Sequence, residues 1–376
     1  MDPIQMVDLK TQYNFIKEEI DVAISEVFNS TTFINGPVVH EFQNNLEAYL
    51  NIKHVIPCAN GTDALQIALM GLDLQPGDEV ITADFTFAAT VEVISLLKLT
   101  PVLVDVDPQT FNINPEAVEK AITSKTKAII PVHLFGQAAP MEPLLKLAEK
   151  HNLFLIEDNA QGMGAVYTFS DGTRAKTGTM GTVGTTSFFP SKNLGAYGDG
   201  GALFTNDDKL AHTLRGIVNH GMYKRYYHDV VGVNSRLDSL QAAVLKVKLK
   251  YLDFYNERRK EAALRYSELL KDQPNIVTPN RSSACDSHVY HQYTLRIKNG
   301  MRDELLSHLN EKKIPCGVYY PVPLHLQKAY FNEIASKKQY SVTNRLVDEV
   351  ISLPMHSELS KDQIQYITTA VLDFFR

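Results

Sequence analysis

The chain has 376 residues, 44% of them hydrophobic and 21% charged, the balance of an ordinary globular protein. Thirty-seven Lys and Arg against 43 Asp and Glu give a net charge of −6, which lacks the basic excess a nucleic-acid surface needs but leaves room for a local phosphate pocket. Cys58, Cys285 and Cys316 are far apart and form no CxxC pair, and the twelve histidines show no HxxxH or HExxH spacing, so neither a disulfide scaffold nor a metal site is expected. No leader-like segment or membrane-length apolar run occurs, and a cytoplasmic protein without a membrane partner is expected.

The first helix is expected over 13–28, where Phe15, Ile16, Ile20, Ala23, Ile24 and Val27 recur at helical spacing, and the second over 38–50. Short apolar strands then alternate with amphipathic helices. Helices are expected at 63–72, 90–97, 115–122 and 141–151, and strands at 79–82, 101–106, 128–132 and 153–157. This alternation implies crossover units and a mainly parallel sheet, hence an α/β fold. Beyond Gly181 the pattern changes. Strands at 185–189 and 201–205 flank a Gly-rich turn, and a helix over 237–252 carries Leu240, Val244, Val247 and Leu252 on one face. A helix at 258–270, a strand at 290–297 and helices at 301–311 and 360–375 follow. The change divides the chain into a large α/β domain, 1–248, and a smaller α+β domain, 249–376.

Open α/β sheets bind ligands at the carboxyl ends of their strands, and four segments there carry chemistry. In Asn60-Gly61-Thr62-Asp63, free amides at a helix start favour an anion such as phosphate, unless Asn60 or Thr62 is a plain cap. Asp158 ends a buried strand, where a carboxylate needs a cationic or hydrogen-bonding partner, unless it caps a helix. Lys192 follows Ser187-Phe188-Phe189-Pro190-Ser191, between two apolar strands. A desolvated lysine there is a nucleophilic amine that forms Schiff bases; a solvated one is inert. Gly232 to Asp238 is the fourth, either functional or a helix start capped by Ser235 or Asn234. Together they suit pyridoxal 5'-phosphate, which needs a phosphate cup, a lysine for its aldehyde and a carboxylate for its ring nitrogen. Gly61, Thr62 and Ser187 form the cup, Lys192 the imine and Asp158 the nitrogen partner, with Phe85 placed to stack and Gln161 to reach the ring hydroxyl.

These segments resemble the signatures of the DegT-type sugar aminotransferases, pyridoxal-phosphate-dependent transferases of the type I, aspartate-aminotransferase-like fold. The resemblance runs from Val7-Asp8-Leu9 to Leu353-Pro354-Met355-His356. It implies that Lys192 is the Schiff-base lysine, Asp158 the pyridine partner, Phe85 the stacking ring, Gln161 the hydroxyl ligand, and Thr62 and Ser187 phosphate ligands. It also implies a homodimer with shared sites, in which Asn234 reaches the neighbour's phosphate. Phe33, Ser191, Arg236, Tyr319, Tyr320 and His325 would surround a sugar nucleotide.

His220-Gly221, Arg225-Tyr226-Tyr227-His228 and the segment from Val231 to Asp238 are most similar to one branch. Those enzymes aminate the 3-keto group of UDP-2-acetamido-hexuronic acids in surface-polysaccharide biosynthesis, with glutamate as the expected donor. Arg236 is then expected to clamp an acidic group of the sugar nucleotide, or else to pair with Asp238 on the helix surface. The nearest rival is a dTDP-linked keto-sugar aminotransferase; a sugar dehydratase of the same fold would carry histidine in place of Lys192 and a sensor should have lost Lys192 or Asp158, and the sequence keeps both. Two features have no assigned role: the long stretch 167–177, and Gly178, Gly181 and Gly184, spaced like a nucleotide loop yet opening a strand.

Overall fold

Seven short strands form one sheet in the computed structural model, which describes residues 3–330 and 340–376. They are β1 (His54–Cys58), β2 (Glu79–Ala83), β3 (Thr100–Val104), β4 (Thr126–Ile130), β5 (Phe154–Asp158), β8 (Val183–Ser187) and β9 (Gly201–Thr205). Between the last groups, β6 (Val166–Thr168) and β7 (Arg174–Lys176) make a hairpin outside this sheet. The spatial order is β1-β9-β8-β5-β4-β2-β3. Strand β9 runs antiparallel to both β1 and β8, and the remaining neighbours pair in parallel.

Side-chain alternation distributes the sheet's apolar residues to two cores. Ile81, Ile129 and Leu155 pack with Val118, Met141, Leu144 and Leu147 of the Pro115–Ala121 and Met141–His151 helices. Val80, Ala128, Ile130, Ile156 and Leu203 pack on the other face with the Gly61–Gly71, Ala89–Leu96 and Asp208–Ile217 helices. The expected elements of this half recur with shifts of a few residues at their ends, while β1 and the Asp208–Ile217 helix are additions. The expected helix over 13–28 is two, Leu9–Phe15 and Lys17–Ser30, broken at Ile16, which leaves helical geometry (φ −115°, ψ 14°) to bury its side chain.

The expected helix over 237–252 stops at Leu249, and a separate helix, Leu252–Leu270, starts earlier than expected. That helix, with Arg302–Glu311 and Lys361–Asp373, covers an antiparallel sheet of Ile276–Val277, Tyr293–Ile297 and Val350–Leu353. A third core of Tyr266, Tyr293, Leu295, Leu305, Ile351 and Ile367 lies there. We propose the division into 1–248 and 249–376 on this change of core, although Cys285, Leu346 and Val350 join the first core and Ile4 the third. The long stretch 167–177 has a structural task. It is the β6–β7 hairpin, whose first strand, β6, lies between β7 and Cys285–Ser287 and brings Cys285 of the C-terminal part into the first core beside Tyr167.

The spaced glycines also find their reason. Glu157 is fully buried, and its carboxylate accepts the amides of Gly178 (2.7 Å), Met180 (2.6 Å) and Gly181 (2.6 Å). His133 Nε2 donates at 2.9 Å, because its Nδ1 already accepts the Ala139 amide at 3.0 Å. A side chain at Gly184 would collide with the Gly178 carbonyl, its Cβ falling 2.0 Å away. The anion in this glycine nest is therefore the protein's own. Glu157→Ala strands three amides and His133 at once, and should lower unfolding free energy by more than about 3 kcal/mol in a urea titration. A loss below about 1 kcal/mol would show the nest to be indifferent to its anion.

Candidate active site

The ends of the parallel strands open into a cavity of about 640 Å³. Its wall carries Gly61 and Thr62 after β1, Thr86 and Phe87 after β2, Asp158, Ala160 and Gln161 at the end of β5, and Ser187, Ser191 and Lys192 after β8. Tyr319 and Tyr320 close it from the C-terminal part.

Each group has a local cause. The Gly61–Gly71 helix is capped by Asn60, whose side chain accepts the Asp63 amide at 2.8 Å, so the capping alternative holds for Asn60 and Thr62 stays available in the first turn. A Cβ on Gly61 would fall 2.6 Å from the Ser187 Cβ. Only glycine lets this helix start close onto Ser187, which gathers free backbone amides and the Thr62 and Ser187 hydroxyls in one corner of the cavity, a donor set suited to an anion. Lys192 stands on the 188–200 loop between β8 and β9, whose ends are fixed by the pairing of Ser187 with Gly201. Burial pulls its amine down to about 8, with the Asp158 carboxylate acting in the opposite direction. Asp158 accepts Thr90 Oγ1 at 2.8 Å and the Ala160 amide at 3.2 Å, and does not cap a helix. Burial raises its carboxyl above the usual range, against those two donors and Lys192. Gln161 accepts the Phe135 amide at 2.8 Å and donates to the Tyr320 hydroxyl at 3.1 Å.

Several expected residues stand elsewhere. Phe85 is 1% exposed and does not line the cavity; its ring packs against Phe111, Phe135 and Tyr320 at 6.1, 6.5 and 5.9 Å between centroids. It continues the buried face of Ile81 and Ala83, whereas Phe87, two residues on and 58% exposed, does line the cavity. His325 is likewise outside the cavity. Its Nδ1 meets Asp84 at 2.6 Å and its amide donates to the same buried carboxylate at 2.8 Å, which consumes the side chain in anchoring its loop to the end of β2. Phe33, Asn234 and Arg236 lie outside the cavity of their own chain. Phe33 and Asn234 are exposed, and Arg236 makes no ion pair with Asp238 among the described residues. Neither Asn234 nor Ser235 caps a helix; Ser235 instead bonds the Ala59 amide and Asp63, bracing the cradle. Thr86, Asp199 and His291 also line the cavity and were not anticipated. Thr86 follows the end of β2 and Asp199 shares the β8–β9 loop with Lys192, so the strand-end rule reaches both, whereas His291 lies in the C-terminal part, where that rule does not look.

A lysine amine and a buried carboxylate in one cavity, with an amide cradle at its rim, are what pyridoxal phosphate requires. The donor set fits. It also makes a direct forecast: in the cofactor-free protein, labelling of Lys192 by an amine-reactive reagent, followed by peptide mass, should rise with a midpoint near pH 8. A midpoint near the ordinary lysine value of 10.5 would mean the amine is not desolvated.

Comparison with known proteins supports the same chemistry. The profile described as the DegT/DnrJ/EryC1/StrS aminotransferase family matches residues 14–372. The chain is 46% identical over 375 residues, 99% of each protein, to a "Pleiotropic regulatory protein" of Geobacillus stearothermophilus. It is 45% identical over 368 residues, 98% of this chain and 99% of the other, to the UDP-2-acetamido-2-deoxy-3-oxo-D-glucuronate aminotransferase of Pseudomonas aeruginosa. The crystal structure of S. venezuelae DesV in complex with ketimine intermediate superposes with a TM-score of 0.94 at 39% identity, covering 100% of this chain and 99% of that one.

Proposed function

This chain belongs to the DegT/DnrJ/EryC1/StrS aminotransferase family and is a pyridoxal-phosphate-dependent sugar aminotransferase, and we propose that it aminates the 3-keto group of a UDP-linked 2-acetamido-hexuronic acid with glutamate as donor. The observation that carries the catalytic part is the shared cavity of Lys192 and Asp158. The substrate part rests on the likeness to the Pseudomonas enzyme over nearly the full chain. A protein that had become a sensor would have no reason to keep a desolvated lysine facing a buried carboxylate.

Bound pyridoxal phosphate would supply an electron sink for the carbanion at the reacting carbon. The chain's own groups do the rest. The Gly61 amide, Thr62 and Ser187 would hold the phosphate, and Asp158 would keep the ring nitrogen protonated. Gln161 would have its second N–H to offer the ring hydroxyl, and Phe87, in place of Phe85, would be the ring placed to stack. Lys192 would be the amine that holds the cofactor's aldehyde and, once free, the group that takes and gives the proton at the reacting carbon. An amine near 8 is populated in both protonation states around neutrality, as a group that both takes and gives protons should be. Ser191, Tyr319 and Tyr320 line the sugar side.

Among the described residues Lys192 is the one cationic side chain in the cavity wall, facing two carboxylates, Asp158 and Asp199. Glutamate and a nucleotide-linked uronic acid are both anionic, so further positive charge has to come from outside the chain's own cavity. This supports a homodimer in which Asn234 and Arg236 serve the neighbour's site. The enzyme is read as cytoplasmic; no helix among the described residues is long and apolar enough to cross a membrane.

Two experiments test these readings. The purified enzyme, offered glutamate and a panel of UDP- and dTDP-linked keto-sugars, should convert the UDP-linked 3-keto-uronic acid fastest, read by product mass and 2-oxoglutarate release. A preference for a dTDP-linked sugar without a carboxylate would replace that assignment. Lys192→Ala and Asn234→Ala should each be inactive alone, yet dissociated and re-formed together should recover about a quarter of wild-type activity, because half the dimers then carry one intact site. No recovery would place Asn234 in its own chain's site.

A further inference from the structure

Five histidines among the described residues are buried: His133, His288, His291, His325 and His356. Four have a ring nitrogen in a hydrogen bond. His133 binds Glu157 and the Ala139 amide, His288 the Tyr290 amide, His325 Asp84, and His356 the Glu358 amide. His291 has none. Its Nδ1 is walled off without a partner, while the residue lines the same cavity as Lys192. Burial, followed by the charges of Lys192 and Arg259, holds the imidazole neutral, well below its ordinary range.

The backbone around it is fixed from three sides. Val289 N donates to Gly136 O at 2.9 Å and Gln292 N to Phe135 O at 3.3 Å. Asn193, next to Lys192, donates its Nδ2 to Val289 O at 2.9 Å. Arg259 donates to Tyr290 O at 3.3 Å and to His291 O at 3.5 Å. A polar ring held this firmly in a cavity wall, yet left unbonded, is the mark of a group whose partner is the ligand. A packing histidine would satisfy a ring nitrogen internally, as its four counterparts do. Stranding a lone pair costs less than stranding an N–H, so the walled-off Nδ1 is the bare nitrogen and the proton sits on Nε2.

We propose that His291 is a further catalytic residue of the sugar half-reaction, donating a hydrogen bond from Nε2 to the keto oxygen of the nucleotide sugar. The imidazole keeps its proton throughout. The water that leaves carries the ketone's oxygen and two hydrogens of the incoming amine, so no other reactant is needed. The donated bond grows stronger as charge gathers on that oxygen, and such bonds lower barriers more than they tighten binding. This role rests on the sugar-aminotransferase reading above.

The test uses three variants of the holoenzyme. His291→Gln keeps an N–H near the Nε2 position, His291→Asn places its amide nearer Nδ1, and His291→Phe has no donor. The two half-reactions are followed separately by stopped-flow absorbance, first with glutamate, then with UDP-2-acetamido-2-deoxy-3-oxo-glucuronate on the glutamate-treated enzyme. The Phe and Asn variants should slow the sugar step at least ~30-fold, Gln should recover to within ~5-fold of wild type, and the glutamate step should change less than ~3-fold. Calorimetry on the cofactor-free proteins supplies a readout apart from turnover: the keto-sugar should bind Phe and Asn more weakly and Gln as wild type. Equal slowing of both steps, no slowing of either, or Asn rescuing better than Gln overturns the proposal. Should Phe fail to fold, the Gln and Asn pair still decides it. A wild-type enzyme that accepts glutamate but no keto-sugar would fail the substrate reading itself, whereas normal amination with indifferent variants fails the His291 role alone.

Discussion

Two carboxylates stand side by side at the end of the central strand β5, Glu157 and Asp158, both buried in the middle of the sheet. Strand alternation sends them to opposite faces. An ionised carboxylate in such a place costs several kcal/mol unless its lone pairs are filled. Glu157 meets this cost with three backbone amides and His133. The glycines at 178, 181 and 184 exist to let those amides come near and the strands stay paired. Asp158 has only Thr90 and the Ala160 amide. It is the under-satisfied member, and it faces the cavity. One residue is finished by the fold and its neighbour is left for a ligand.

Lys192 answers that imbalance from across the cavity. Burial moves the lysine down and the aspartate up, and the attraction between them resists both shifts. Neither group is at ease alone, and a ligand with a protonated ring nitrogen and an aldehyde relieves both. The antiparallel strand β9 makes this arrangement possible. A parallel neighbour would need a crossover helix after β8. An antiparallel one returns through a loop, and that loop can hang a lysine over the strand ends.

Much of this was visible in the residues. The β2 to β5 alternation is plain because parallel strands buried on both faces are continuous apolar runs between amphipathic helices. Gly61, Thr62, Asp158, Gln161, Ser187 and Lys192 stand together because strand-end chemistry is local to each strand. What was not visible depends on distance in space. Phe85 and Phe87 are equally aromatic, and which one meets a ligand depends on a core formed with Phe111 and Phe135. His325 resembles a pocket residue until Asp84, 241 positions away in sequence, is found to hold it. Strand β1 contains Pro57, which argues against a strand in sequence and is tolerated because β1 is an edge strand. The Asp208–Ile217 helix is different: Asp207 caps it, and Leu210, Ala211, Leu214 and Ile217 recur at helical spacing, so it is legible in the residues themselves.

The loop carrying Tyr319 and Tyr320 is pinned at two places. Tyr320 takes a hydrogen bond from Gln161 at the end of β5, and His325 is bound twice by Asp84 at the end of β2. Both anchors belong to the protein and ask nothing of a ligand. The entropy of ordering that wall is therefore paid once, during folding, and not at every encounter. A nucleotide sugar arriving here meets a surface already in shape, so its affinity draws on contacts formed and is not spent on arranging the walls. Discrimination among sugars then has little help from closure around the right one. It must come from the static fit of a few fixed groups, and a change of substrate within this fold is a matter of exchanging side chains on a rigid rim.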